Sequence, residues 1–194
     1  KEFMTDLVVI IGPQAVGKMT IGEKLKEKIG YTLMTNHDSI EIAIKIFSSN
    51  KDAKLKLKSK IREDVFNICL ENNISIIFTF VVDFNTNDDI LYLNELKNKF
   101  EKTGGHFYLI ELEADLQTRL DRNKTPHRLE CKPSKKNLEW SEKELIESMN
   151  IYRMNSIKDE IKFENYIKIN NTNLSPNAVC DIIINKFNFN LNKI

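Results

Sequence analysis

Residues 12–20 read GPQAVGKMT, with Gly12, Gly17 and Lys18 in a G-x-x-x-x-G-K pattern directly after an apolar run. Two glycines allow the backbone to turn tightly and approach a phosphate with no Cβ in the way. The amides from about Ala15 to Thr20 then point inward as an anion nest, at the positive end of the helix that follows. In this reading Gly12, Gln14, Ala15, Val16 and Gly17 form the cradle, and Lys18 is a mobile point charge for β- and γ-phosphates. Glycine is scarce: the chain has 6, and Gly12, Gly17 and Gly22 are three of them. One position departs from the pattern. A Ser or Thr hydroxyl is expected after the lysine to meet Mg²⁺, but residue 19 is Met, whose soft thioether does not replace an oxygen. Thr20 lies about 100° further round the helix and reaches more naturally toward an α-phosphate. Mg²⁺ would then rest on water, nucleotide oxygens and an acidic residue elsewhere.

The flanking elements have to present this loop. Leu7–Ile11 is a short apolar, β-branched run that suits a strand buried on both faces, as in a parallel sheet. Ile21, Leu25 and Ile29 give a helix over 18–29, with Gly30 as its C-cap. A short strand over 31–34 precedes Asp38 and Glu41, which read as an N-cap and its N3 partner. Residues 53–72 form an amphipathic helix whose other side carries Lys54, Lys58 and Arg62. Ile74–Val82 is the strongest strand pattern and stops at Asp83. A helix over 88–102, a strand over 106–112 and a helix over 115–122 follow. Residues 123–140 are polar, basic and aperiodic. Ser141 with Glu144 then reads as a capping box, 166–169 as a last strand, and Ser175-Pro176 as the start of a terminal helix. Strands alternating with helices predict a single α/β domain over 4–194 with a parallel sheet. Lys1–Phe3, ahead of Met4, read as an expression scar.

Composition narrows the function. In 194 residues, 29 Lys+Arg balance 28 Asp+Glu, which argues against a nucleic-acid binder. The lysines between 51 and 62 have no interleaved aromatics and read as a solvated helix face. No apolar run approaches the roughly 20 residues of a membrane span. Cys69, Cys131 and Cys180 are odd in number and make no CxxC pair, consistent with a reducing, cytoplasmic setting and no zinc ribbon.

GPQAVGKMT, FTFVVDF (78–84) and NKTPHRLECKPSKKNLEW (123–140) together resemble the small P-loop kinases, the group of shikimate, adenylate and gluconate kinases. More narrowly, they resemble an uncharacterised bacterial family of shikimate-kinase-like ATP-binding proteins that carries the same GKMT departure. The resemblance implies a three-layer α/β/α P-loop NTPase fold with about five parallel strands and a lid over 123–140. It also implies ATP and Mg²⁺, and transfer of the γ-phosphoryl to a small-molecule hydroxyl or phosphate.

On that resemblance Asp83 holds Mg²⁺ through water or activates the acceptor. Asn36, His37 and Asp38 bind the acceptor, with Asp38 a second candidate base. Arg122 stacks on the base of the nucleotide, and Arg128 reaches the transferred phosphoryl; planar, permanently charged guanidinium suits both tasks. Arg119 and His127 lie at the same end of the lid. Trp140 reads as a packing residue at its hinge. The expected partners are a nucleotide and a small acceptor, with no nucleic acid and no membrane, in a monomer or homodimer. The alternative that Met19 favours is a regulatory nucleotide-binding module with little or no turnover.

Overall fold

The computed structural model describes residues 4–126, 137–187 and 189. Five strands, Leu7–Ile11 (β1), Thr32–Met34 (β2), Ile76–Thr79 (β3), Phe107–Glu113 (β4) and Tyr166–Asn170 (β5), form one sheet in the order β2-β3-β1-β4-β5. Every neighbouring pair is parallel. The helices are Lys18–Ile29 (α1), Asn36–Ile46 (α2), Lys51–Glu71 (α3), Asp88–Glu101 (α4), Leu116–Asn123 (α5), Leu138–Ile151 (α6) and Pro176–Lys186 (α7). None of them, among the described residues, is long and apolar enough to cross a membrane.

β1 is apolar throughout because both of its faces are covered. Val8 and Ile10 pack with Ile21, Leu25 and Ile29 of α1 and with Val179 and Ile183 of α7. Leu7, Val9 and Ile11 face Phe66 of α3 and Leu93, Leu96 and Phe100 of α4. The result is the expected three-layer α/β/α sandwich, with β1 central and its carboxyl end feeding the glycine loop.

Three local expectations are corrected. Helix α2 begins earlier than expected: Thr35 is the N-cap and Asp38 is its N3 partner, with Asp38 Oδ2 accepting the Thr35 N–H at 2.6 Å. The capping box is therefore Thr35-x-x-Asp38, and Asp38 is an exposed capping residue. Helix α6 starts at Leu138, capped by Asn137, whose side chain accepts from the Trp140 N–H at 3.1 Å. Ser141 sits inside that helix, buried, and donates to Asn123 Oδ1 while accepting from Asn123 Nδ2. The strand pattern from Ile74 yields a ladder only over Ile76–Thr79. Beyond it the β2 partner has ended at Met34 and β1 has turned into the loop, so residues 80–83 run on without regular pairing.

A buried carboxylate fixes the chain that follows α6. Glu111, in β4, is fully buried. It accepts from Ser156 N–H at 2.8 Å, Ser156 Oγ at 2.6 Å, Asn155 Nδ2 at 2.8 Å and Tyr166 OH at 2.6 Å. Burial pushes its pKa up, but these hydrogen bonds outweigh burial and hold it below its ordinary value of 4.5. A carboxyl depressed on folding stabilises fully above that ordinary value and loses its contribution as pH falls through the lower, folded one. Glu111→Gln turns an acceptor-only group into one that presents N–H to donors. It should cost about 1–3 kcal/mol in urea unfolding at pH 7 and flatten the acid limb of the stability profile below pH 4.5.

Candidate functional site

The turn from β1 into α1 has the backbone that its glycines permit. Gly12 has φ +138°, Gly17 has φ +105°, and Ala15 between them also lies in the left-handed region at φ +59°. Alternating handedness of this kind aims successive N–H groups at one point. Gly12 has a second constraint: a Cβ there would stand 2.4 Å from the Leu112 carbonyl oxygen. Lys18 opens α1, and its Nζ donates to the carbonyls of Gly12 at 2.5 Å and Pro13 at 2.7 Å. The ammonium is thus held over the loop.

Helix α5 braces the loop from outside. Arg119 Nε donates to Gln14 O at 2.8 Å, and Arg122 Nη1 donates to Val16 O at 3.0 Å. One helical turn separates the two arginines, so they share a face of α5. Asn171, just after β5, adds its Nδ2 to Val16 O at 2.9 Å and accepts from Arg122 on both its carbonyl and its side chain. The sequence offered no sign of Asn171, one asparagine among many. Arg119 and Arg122 were legible as basic residues near the lid, but their grip on loop carbonyls was not.

A cavity of about 670 Å³ opens at the carboxyl end of the sheet, the crevice where open α/β sheets bind ligands. Residues 14–20 of the loop line it, with Asn36, His37, Asp83, Arg122 and Asn171. The structure therefore gathers the loop, Met19, Thr20 and most other expected site residues at one place. Trp140 belongs here as well, half-exposed on the cavity wall. Asp38 does not line this cavity, and its carboxylate accepts the Thr35 N–H. His127, Arg128 and most of the expected lid lie outside the described residues.

Asp89, in the first turn of α4, also lines the cavity and was not anticipated. Its Oδ2 accepts the Asp83 N–H at 2.8 Å. Burial raises its pKa, with the charges of Asp83 and Asp88 adding to the rise and the Asp83 N–H and Lys58 opposing it. Among the described residues no three His, Cys, Asp or Glu side chains converge on a metal position. Mg²⁺ does not need such a cage, since it commonly binds through one or two carboxylates, water and substrate phosphates. Thr20, Asp83 and Asp89 are hard oxygen donors at the cavity and fit that chemistry; the Met19 thioether does not.

A second cavity of about 580 Å³ lies beside the first, between α2, α3 and α4. The two share Asn36, Ile40, Val81 and Asp89 as a common wall. Arg62, expected on a solvated face, is buried on its floor.

No family model matches the chain, and no curated protein does either. Solved structures match it at the level of the fold. A sugar kinase from Janibacter sp. HTCC2649 aligns over 93% of this chain and 93% of its own, with a TM-score of 0.59 and 14% identity. A gluconokinase from Sinorhizobium meliloti 1021 aligns over 96% of this chain and 93% of its own, with a TM-score of 0.50 and 11% identity. The chain has the fold of the small P-loop kinases.

Gly12→Ala tests the loop geometry directly. The added methyl meets a backbone oxygen in a conformation that L-residues avoid, so urea unfolding should show a loss of about 1–3 kcal/mol. Nucleotide binding by calorimetry should fall with it.

Proposed function

We propose that the protein is an ATP-dependent phosphotransferase that moves the γ-phosphoryl of ATP to a hydroxyl or phosphate of a small molecule. One observation carries this reading: the cavity lined by the glycine loop and a second, separate cavity share a wall. A nucleotide sensor needs only the first. A kinase needs two pockets whose ligands meet at a boundary, and here that boundary holds Asn36 and Asp89.

The residues divide the work as follows. The amides of 15–20 and the Lys18 ammonium hold the polyphosphate, exchanging the Gly12 and Pro13 carbonyls for phosphate oxygens. Thr20, Asp83 and Asp89 would hold Mg²⁺ entering with the nucleotide, and the ion would supply neutralisation of phosphate charge. An acceptor oxygen forms its bond to the γ-phosphorus as the bond to the β-bridging oxygen breaks, and ADP leaves. The proton of an acceptor hydroxyl passes to a carboxylate at the shared wall. Asp89 stands there, with Asp83 beside it on the lining of the first cavity, whereas Asp38 caps α2. Arg128 is offered by the sequence for the charge on the transferred group. Positioning and charge stabilisation supply most of the rate in such transfers.

A second reading keeps nucleotide binding without turnover, and Met19 favours it. The two separate on one assay. ADP release in ATP and Mg²⁺, followed across a panel of sugars, sugar acids, nucleosides and nucleotides, should rise with an acceptor if the protein is a kinase. Tight ATP binding with no stimulation across the panel favours the sensor. Lys18→Ala removes a charge-assisted contact worth about 1.5–3 kcal/mol, so calorimetry should show ATP affinity falling roughly tenfold or more. ATP binding equal to that of the parent would overturn both readings.

A further inference from the structure

Asp83 needs an anchor that the strand before it does not supply. The ladder of β3 ends at Thr79, and Asp83 stands four residues further on, half-buried. Its own contacts are local. Its N–H donates to Asp89 Oδ2 at 2.8 Å, and its Oδ1 accepts the Asn85 N–H at 3.0 Å. Both partners lie within six positions along the chain, so these bonds shape the turn without tying it to the sheet.

The tie comes from the chain after α6. Phe84, buried beside Asp83, donates its N–H to the Arg153 carbonyl at 2.8 Å. Arg153 Nη2 donates to the Phe84 carbonyl at 2.6 Å, so both backbone polar groups of Phe84 end on one residue. The guanidinium also lies over the Phe84 ring, with Cζ 5.3 Å from the ring centroid. Asn85 Nδ2 adds a bond to the Ile151 carbonyl at 3.0 Å.

Arg153 is itself held. Glu160 accepts from Nη1 at 2.6 Å and from Nη2 at 2.7 Å, and the Asn155 carbonyl accepts from Nη1 at 3.2 Å. A two-pronged pair of this kind fixes a guanidinium in direction as well as in place. Asn155 and Ser156, two and three residues on, are bonded to the buried Glu111. A continuous run of contacts therefore leads from β4 through Glu111 and Arg153 to the turn of Asp83. Arg153 lines neither cavity, so it reaches the cleft only through that turn.

We propose that Arg153 is a positioning residue of the nucleotide site, holding the Phe84 backbone so that the neighbouring Asp83 carboxylate is set for a Mg²⁺ ion entering with the nucleotide. The role rests on the phosphotransferase reading and adds to it a residue remote from both ligands. Groups that orient a metal-binding side chain commonly change metal affinity by about 10- to 100-fold when they are removed.

The quantity to measure is the factor by which Mg²⁺ strengthens binding of a non-hydrolysable ATP analogue, from calorimetry in Mg²⁺ and in EDTA. Arg153→Met should lower that factor about tenfold, while affinity in EDTA stays within about twofold of the parent. Arg153→Lys keeps a cation for the Phe84 carbonyl and should recover part of the loss. Asp83→Asn should lower the factor too, and adding Arg153→Met to it should lower it no further, because both act through one carboxylate. A residue that only stabilised the fold would weaken the analogue equally with and without metal. If Arg153→Met does not fold, Glu160→Gln, which loosens the guanidinium, takes its place and should shift the factor the same way. A parental factor in the variant used, an equal loss in EDTA, or losses that multiply in the double variant would overturn the proposal. Failure of the analogue to bind the parent protein would instead overturn the phosphotransferase reading.

Discussion

The orientation of a few backbone carbonyls governs the shape of the glycine loop and so of the proposed phosphate site. A loop whose N–H groups converge must send its carbonyls elsewhere, and a carbonyl without a donor would turn back and spoil the nest. Here Gln14 O and Val16 O are held by Arg119, Arg122 and Asn171. Two guanidinium groups from one short helix thus fix the electrostatic sense of a turn that is far away in sequence. Lys18 completes the arrangement from within by resting on the remaining carbonyls of Gly12 and Pro13.

The same economy holds on the other side of the cleft. Arg62 ties the first turn of α2, through Asn36 and Ser39, to the aromatic surface of β3 and the chain beyond it. The Asn36 N–H donates to Thr79 Oγ1 at 3.0 Å, which brings the end of β3 into the same network. Glu111 acts likewise for the chain after α6, which brings Met154 to the cavity. In each case one buried ionic side chain collects donors or acceptors from several elements, and the cleft walls are set by those contacts more than by the helices alone.

The fold was largely legible because the apolar pattern of β1, the 18–29 helix with its Gly30 cap, and the alternation of strands and helices are local signals with a direct physical cause. The loop was legible for the same reason, since its glycines are needed by its own backbone. What failed had non-local causes. Thr35 and Asp38 differ from the expected Asp38 and Glu41 by three residues because both pairs satisfy the capping pattern, and the choice is made by the hydrogen bond from Asn36 to Thr79. Arg62 looked solvated because helical periodicity places it beside lysines, while the aromatic rings that cover it come from β3 and the chain just after it. Asp89 and Asn171 carry no motif at all; only the closing of the sheet brings them to the cleft.

The strand order has a consequence for how the chain matures. Leu7 pairs with Ile76 on one side and Phe107 on the other, and the donors that shape residues 14–16 come from positions 119, 122 and 171. A nascent chain that has released its glycine turn therefore still lacks the donors that orient the carbonyls of Gln14 and Val16. Contacts this distant along the chain are expensive in closure entropy and form slowly. The final shape of the turn should accordingly emerge only once residue 171 has left the ribosome, long after the turn itself.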